Sequence, residues 1–191
     1  MKVLIACECS GRVRDAFRSL GHDAWSCDIK ESETFSKYHI KDDILNHLDK
    51  NWDLMIGHPP CTFMCRNRAR LNEIEDRIID TSLFNTLYNS NIEKICIENP
   101  VPSKKANLPK YTQIIQPYQF GHDHSKKTCL WLKNLPKLKP TKIVDVTYIT
   151  TKNGHRYTKG WYMTPRNSTA RSRTFTGIAS AMAQQWGGKI E

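Results

Sequence analysis

Four short apolar runs, alternating with longer amphipathic ones, constrain this chain more than any other feature. Lys2–Ala6 and residues 24–29, 52–56 and 94–97 read as strands. Residues 12–20 put Val13, Phe17 and Leu20 on one helical face, with Gly21 following as a C-cap. A second helix is predicted over residues 72–89, while residues 32–51 show no regular period. Strand, helix, strand, helix is the pattern of a parallel sheet covered on both faces. The fold class is therefore α/β, a mostly parallel doubly wound sheet.

Beyond Pro100 the texture changes. Residues 102–109 read as loop, and 114–120 and 128–132 as two more strands. Pro136 and Pro140 mark a crossing to a small unit in which 144–151 and 155–163 flank Asn153-Gly154, a hairpin signal. The tail from Gly177 to Trp186 is apolar at helical spacing and stops at Gly187-Gly188. Residues 1–138 and 174–191 are thus predicted to form one core, and 139–173 a small basic hairpin inserted in it.

The chemistry sits where two of the strands end. Asp53-Leu54-Met55-Ile56 runs into Gly57-His58-Pro59-Pro60-Cys61, and Lys94-Ile95-Cys96-Ile97 runs into Glu98-Asn99-Pro100. Open sheets bind ligands beyond the carboxyl ends of their strands. Proline fixes φ and restricts its predecessor, so Cys61 is held as a positioned nucleophile must be. Alone, Glu98 reads as a capping or bridging carboxylate; beside a rigid thiol it can give or hold a proton. Arg66, Arg68 and Arg70 follow closely, and guanidinium groups near a thiol favour its thiolate. They can also clamp phosphates.

Cys7-Glu8-Cys9-Ser10-Gly11, between the first strand and helix, lies where nucleotide-like cofactors bind doubly wound sheets. With one glycine it fails the dinucleotide fingerprint. Asp28 and Asp43, near the ends of the next two strands, can hydrogen-bond ribose hydroxyls and an adenine amine. The loose spacing of Cys7, Cys9, Cys61, Cys65, His122, His124 and Cys129 argues against zinc.

Charge points to the partner. The net +10 hides a strong asymmetry: residues 1–100 carry 13 Lys and Arg against 16 Asp and Glu, and residues 101–191 carry 16 against 3. So acid-poor a half favours a polyanion, by default nucleic acid. Lys152, Arg156, Lys159, Trp161, Arg171 and Arg173 interleave cations with aromatics, as phosphate contact and base stacking require. No apolar run reaches the length of about 20 residues a membrane helix needs. An N-terminus without a signal pattern and an odd count of seven cysteines predict a reducing cytoplasm.

These motifs, in this order, resemble the DNA (cytosine-5) methyltransferases, particularly the short ones of phages and prophages. The likeness covers most of residues 2–135 and, more faintly, 173–188. Pro60-Cys61 is similar to the family's nucleophile motif, which makes Cys61 the thiol that attacks carbon 6 of cytosine. Glu98-Asn99-Pro100 resembles its Glu-Asn-Val motif, whose glutamate holds and protonates ring nitrogen 3. Phe120-Gly121 with Lys126-Lys127-Thr128 resembles the base-orienting Gln-Arg-x-Arg segment, and residues 174–186 the motif that closes the methyl-donor pocket.

The resemblance implies the S-adenosylmethionine-dependent (Rossmann-like) version of the fold. It implies S-adenosylmethionine held by Ala6, Cys7, Glu8, Cys9, Ser10, Gly11, Asp28, Ile29, Asp43, Ile44, His58 and Pro59, with no metal. The implied partner is duplex DNA with a flipped cytosine, Lys126 and Lys127 joining Cys61 and Glu98 in catalysis and residues 62–70 closing over the nucleotide. Three departures stand out: Gly11 alone remains of the family's glycine loop, lysines replace arginines, and the large target-recognition domain is absent. A catalytically degenerate DNA-binding decoy, an RNA methyltransferase and an enzyme of free pyrimidine nucleotides remain alternatives.

Overall fold

The alternation is realised as a seven-stranded sheet in the computed structural model, which describes residues 1–62, 64, 65 and 79–188. The strands are β1 (Lys2–Ala6), β2 (Asp23–Asp28), β3 (His39–Lys41), β4 (Leu54–Gly57), β5 (Lys94–Pro100), β6 (Gln113–Ile115) and β7 (Thr128–Lys133). Their order is β3-β2-β1-β4-β5-β7-β6. β1 to β5 pair in parallel, and β7 runs antiparallel between β5 and β6. The arrangement is α/β, mostly parallel, and compatible with a Rossmann-like fold. From β1 the chain steps outward through β2 and β3, then crosses back to begin β4 on β1's other side. The order therefore reverses between β1 and β4, and that switch point is where such sheets form a ligand crevice.

Both faces of the sheet are buried, which explains why the strands read as continuous apolar runs. Successive residues alternate between two cores. Val3, Ile5, Leu54 and Ile56 meet α1 (Arg12–Arg18), through Val13 and Phe17, together with Ile178, Ala181 and Met182 of the C-terminal helix. Leu4, Ala6, Met55, Ile95 and Ile97 pack on the opposite side against Phe84 and Leu87 of α2 (Ser82–Tyr88). A separate two-stranded hairpin, β8 (Tyr148–Thr150) and β9 (Arg156–Thr158), leads into α3 (Lys159–Met163) and α4 (Ser168–Ser172). The chain then enters α5 (Thr176–Met182), which continues as a wider turn over Ala183–Gly187.

Several boundaries differ from the sequence pattern, each for a local reason. The first helix stops at Arg18, and Gly21, with φ of 88°, closes the turn as its amide donates to the Arg18 carbonyl. The helix expected over 72–89 begins, within the described residues, only at Ser82, whose amide donates to the Asp80 carboxylate. The run 114–120 divides at Pro117: Gln116 and Gln119 cap each other's backbone around a 3₁₀ turn, so the strand ends at Ile115. Of 155–163 only Arg156–Thr158 is strand, because the Thr158 hydroxyl accepts from the Trp161 amide and starts a helix. Of 144–151 only Tyr148–Thr150 is strand. β3 lies inside the stretch read as irregular.

Candidate active site

Adjacent strands bring the two motifs together. Gly57 at the end of β4 pairs with Ile97 of β5, so His58, just past β4, stands beside Glu98, which β5 carries on to Pro100 against β7. His58 Nδ1 lies 2.9 Å from Glu98 Oε2, and each side chain is 12% exposed. The neighbouring Asn99 amide donates to the Pro59 carbonyl at 3.1 Å, tying the end of β5 to the turn that carries Cys61. Beyond it, the Cys65 amide donates to the Cys61 carbonyl, and the Ser103 amide to the Met64 carbonyl at 2.7 Å. The thiol thus stands on backbone anchored from both sides.

The electrostatics are those of a closed thiol and a charged pair. A hydrogen bond with the Cys65 thiol, burial, and the nearby Glu98 charge push the Cys61 thiol well above its ordinary range, and Lys126 only partly opposes them. The described surroundings of Cys61 thus favour its thiol form; Arg66, Arg68 and Arg70, on which the expected thiolate rests, lie outside the described residues. Burial alone would raise Glu98, but the His58 hydrogen bond and charge, aided by Lys126, outweigh it and hold the carboxyl below its ordinary value. Burial likewise opposes charge on His58, while Glu98 and, more weakly, Glu8 raise it. Both directions favour the charged forms of the His58–Glu98 pair.

The other wall of the site comes from the far end of the chain. Antiparallel pairing sets Pro100 of β5 opposite Thr128 of β7, which brings the preceding Lys126 to Glu98. Glu98, Lys126, Thr128, Arg173, Thr174, Phe175 and Ile178 line a cleft. The Lys126 ammonium also donates to the Arg171 carbonyl at 2.9 Å, whereas Lys127 is exposed. The two expected catalytic lysines therefore separate. Gly177 starts α5 with its amide on His122 Nε2 at 2.9 Å, and Arg12 binds the Thr174 carbonyl at 2.8 Å. The tail expected to close a pocket does border the Glu98 cleft.

Of the expected cofactor residues His58 is taken up by Glu98, and the others sort into three groups. Cys7 is left-handed (φ of 59°), its amide on the Cys27 carbonyl, and its thiol is pushed up to about 12 by burial and by Asp28, Cys27 and Asp43. The ends of β1, β2 and β3 do bring Cys7, Asp28 and Asp43 together. Cys9 and the exposed Ile29 border the same strand ends and Pro59 follows β4, while Ala6, like Ile44, is buried in the second core. Glu8 instead turns inward: its buried carboxylate accepts from Ser10 Oγ and from the amides of Val13 and Arg14, capping α1. Gly11 has φ of 72°, and any Cβ there would strike the buried Arg14 guanidinium. Ile44 belongs to the second core. Glu8, Ser10 and Ile44 thus build the scaffold, which their residue types alone do not disclose.

The expected nucleic-acid contacts are mixed. Lys152, Arg156 and Lys159 are exposed on the hairpin and α3, with Arg156 over the Tyr148 ring at 4.1 Å. Trp161 stacks on Tyr157 at 4.7 Å and carries the Arg171 guanidinium at 4.4 Å, so it is already engaged within the unit. Arg173 pairs with Glu33 at 2.8 Å and borders the cleft. Sequence reasoning passed over Asn99 as the clamp on the cysteine turn, though it adjoins Glu98. It also passed over His58 as Glu98's partner, because residues forty apart declare no contact.

The fold and site define a doubly wound α/β protein with a thiol and an ion-paired carboxylate beside the switch point. No family model matches this chain, and none of the curated proteins matches it.

Proposed function

We propose that this chain is an S-adenosylmethionine-dependent DNA (cytosine-5) methyltransferase with the Rossmann-like fold of that class. The observation that carries the reading is the nearness of Cys61, beyond β4, to Glu98 of β5, one strand from the strand ends where Cys7, Asp28 and Asp43 gather. A nucleophile and a proton carrier there face a base, while the crevice offers carboxylates to a nucleoside-bearing methyl donor. Carbon 5 of cytosine is a weak nucleophile. Addition of Cys61 to carbon 6 with protonation of nitrogen 3 makes an enamine that attacks the sulfonium methyl group; loss of the carbon 5 proton then expels Cys61. In a duplex the base must first be flipped, at a cost of a few kcal/mol.

The exposed cations of the hairpin, in a half carrying 16 basic and 3 acidic residues, support nucleic acid over a free nucleotide. The test is incubation with labelled S-adenosylmethionine and mixed-sequence DNA, RNA or dCMP, followed by nucleoside analysis. 5-Methylcytosine in DNA is expected, and label confined to RNA or dCMP reassigns the substrate. A DNA-binding decoy is the second reading, favoured by the inward turn of Glu8 and the protonated Cys61. Calorimetry decides it, since a decoy has no need of S-adenosylmethionine.

A further inference from the structure

The site contains one group for which the reading above has no use. His58 ends β4 with Nδ1 on Glu98, and its Nε2 is buried with no hydrogen-bond partner among the described residues. The backbone amide of the same residue is fixed to the Ala6 carbonyl at 2.9 Å, so the ring cannot swing away with the cysteine turn. The charges around it are Glu98 from β5, Glu8 from the loop after β1 and Lys126 from the segment before β7, with the Cys61 thiol near Glu98. A carboxylate with one oxygen tied leaves the other for chemistry.

We propose that His58 is a positioning residue for Glu98: its Nδ1–H pins Oε2, and its charge keeps the carboxylate ionised at rest, so that Oε1 carries the proton of the Cys61 thiol to nitrogen 3 of the base. This rests on the methyltransferase reading. The protonated thiol then needs no separate base. The S–H bond breaks and its proton passes to Glu98, while the sulfur pair forms the bond to carbon 6. The ring π electrons shift to nitrogen 3, which takes the proton from Glu98. After carbon 5 has accepted the methyl group and the donor has left as a neutral thioether, the carbon 5 proton departs to water. The pair it leaves restores the carbon 5–carbon 6 double bond and Cys61 is expelled. Nitrogen 3 returns its proton to Glu98, which restores the thiol, and His58 remains charged throughout.

Two measurements on the full chain test this. Nitrogen-15 NMR of the imidazoles should find His58 more than half doubly protonated at pH 6.5 in the wild type and mostly neutral there in Glu98→Gln, where only Glu8 still opposes burial. A neutral His58 in both overturns the proposal whatever the enzyme does. The second measurement is the pH profile of kcat/KM for wild type and His58→Asn, which keeps a donor near the Nδ1 position without the charge. Without the cation Glu98 titrates higher, so the acid limb should move up by about one pH unit or more. On the acid limb, below both midpoints, activity relative to that at pH 8 should lie about tenfold under the wild-type value, with KM for DNA little changed. A uniform loss at every pH marks His58 as merely structural and overturns the proposal. If the wild type transfers no methyl group, the reading of the site fails and the shuttle with it, while the NMR result still stands as a fact about the pair.

Discussion

Cys61 stands between a stiff proline turn, a second thiol and a carboxylate, and its substitution separates chemistry from folding. Cys61→Ser should abolish methyl transfer with little effect on folding, because a hydroxyl is hardly ionised at neutral pH. The paired measurement is covalent trapping by DNA containing 5-fluorocytosine: wild type should be captured and the variant should not. Full activity in Cys61→Ala would refute the covalent mechanism. Glu98→Gln should lower turnover about 10²–10⁴-fold, the usual worth of a positioned proton carrier; unchanged turnover would leave Glu98 a structural role. The ion pair also has a stability signature. Glu98 is held below its ordinary 4.5, so its contribution is present above that pH and fades as pH falls through the folded-state value. His58 is held above its ordinary 6.5, so its contribution is complete below that pH and fades as pH rises. Both act between 4.5 and 6.5, and there the Tm difference between wild type and Glu98→Gln should be largest. A difference constant from pH 4 to 8 would mean that the pair carries no charge.

At the scale of elements, α5 is placed by contact rather than by propensity. A Cβ on Gly177 would collide with the Phe120 carbonyl oxygen and crowd His122, so Gly177→Ala should cost about 1–3 kcal/mol through overpacking. Thermal denaturation measures this, and an unchanged Tm would show that the helix start can shift freely. The hairpin invites the opposite experiment. Neutralising Arg156 and Lys159 together should weaken DNA binding far more than S-adenosylmethionine binding, since both are exposed and distant in sequence from the crevice strands. If the double variant binds DNA like wild type, recognition lies elsewhere, with residues 66–70 next to be examined. The sequence made β1, β2, β4, β5 and β7 legible because strands buried on both faces leave unbroken apolar runs. β3 was anticipated only as a strand ending near Asp43 and its bounds were not read, because three edge residues, none fully buried, imprint no period. The hairpin's second strand was read too long because Thr158 acts as a helix cap, which the strand-like composition around it conceals. Cys61 and Glu98 were legible from the apolar runs that precede them, although β5 runs on past Ile97 to Pro100; their link through His58 and Asn99 was not, because it exists only once β4 and β5 pair.

For the whole molecule, charge sets the character of binding. Each phosphate contact should add about 0.9 to the slope of log affinity against log salt, so DNA affinity should fall steeply between low and physiological salt. Affinity flat over that range would remove nucleic acid as a partner. Among the described residues no helix is long and apolar enough to cross a membrane. The sheet's topology also imposes an order of events during synthesis. Val13 and Phe17, near the beginning of the chain, are covered by Ile178 and Met182, near its end. Arg12 likewise waits for the Thr174 carbonyl. Until α5 has left the ribosome, that face of the nascent sheet has only α1 over it, and neither the core nor the cleft beside Glu98 is complete. Between the synthesis of α1 and that of α5, this part of the growing chain must therefore stay unfolded or shielded.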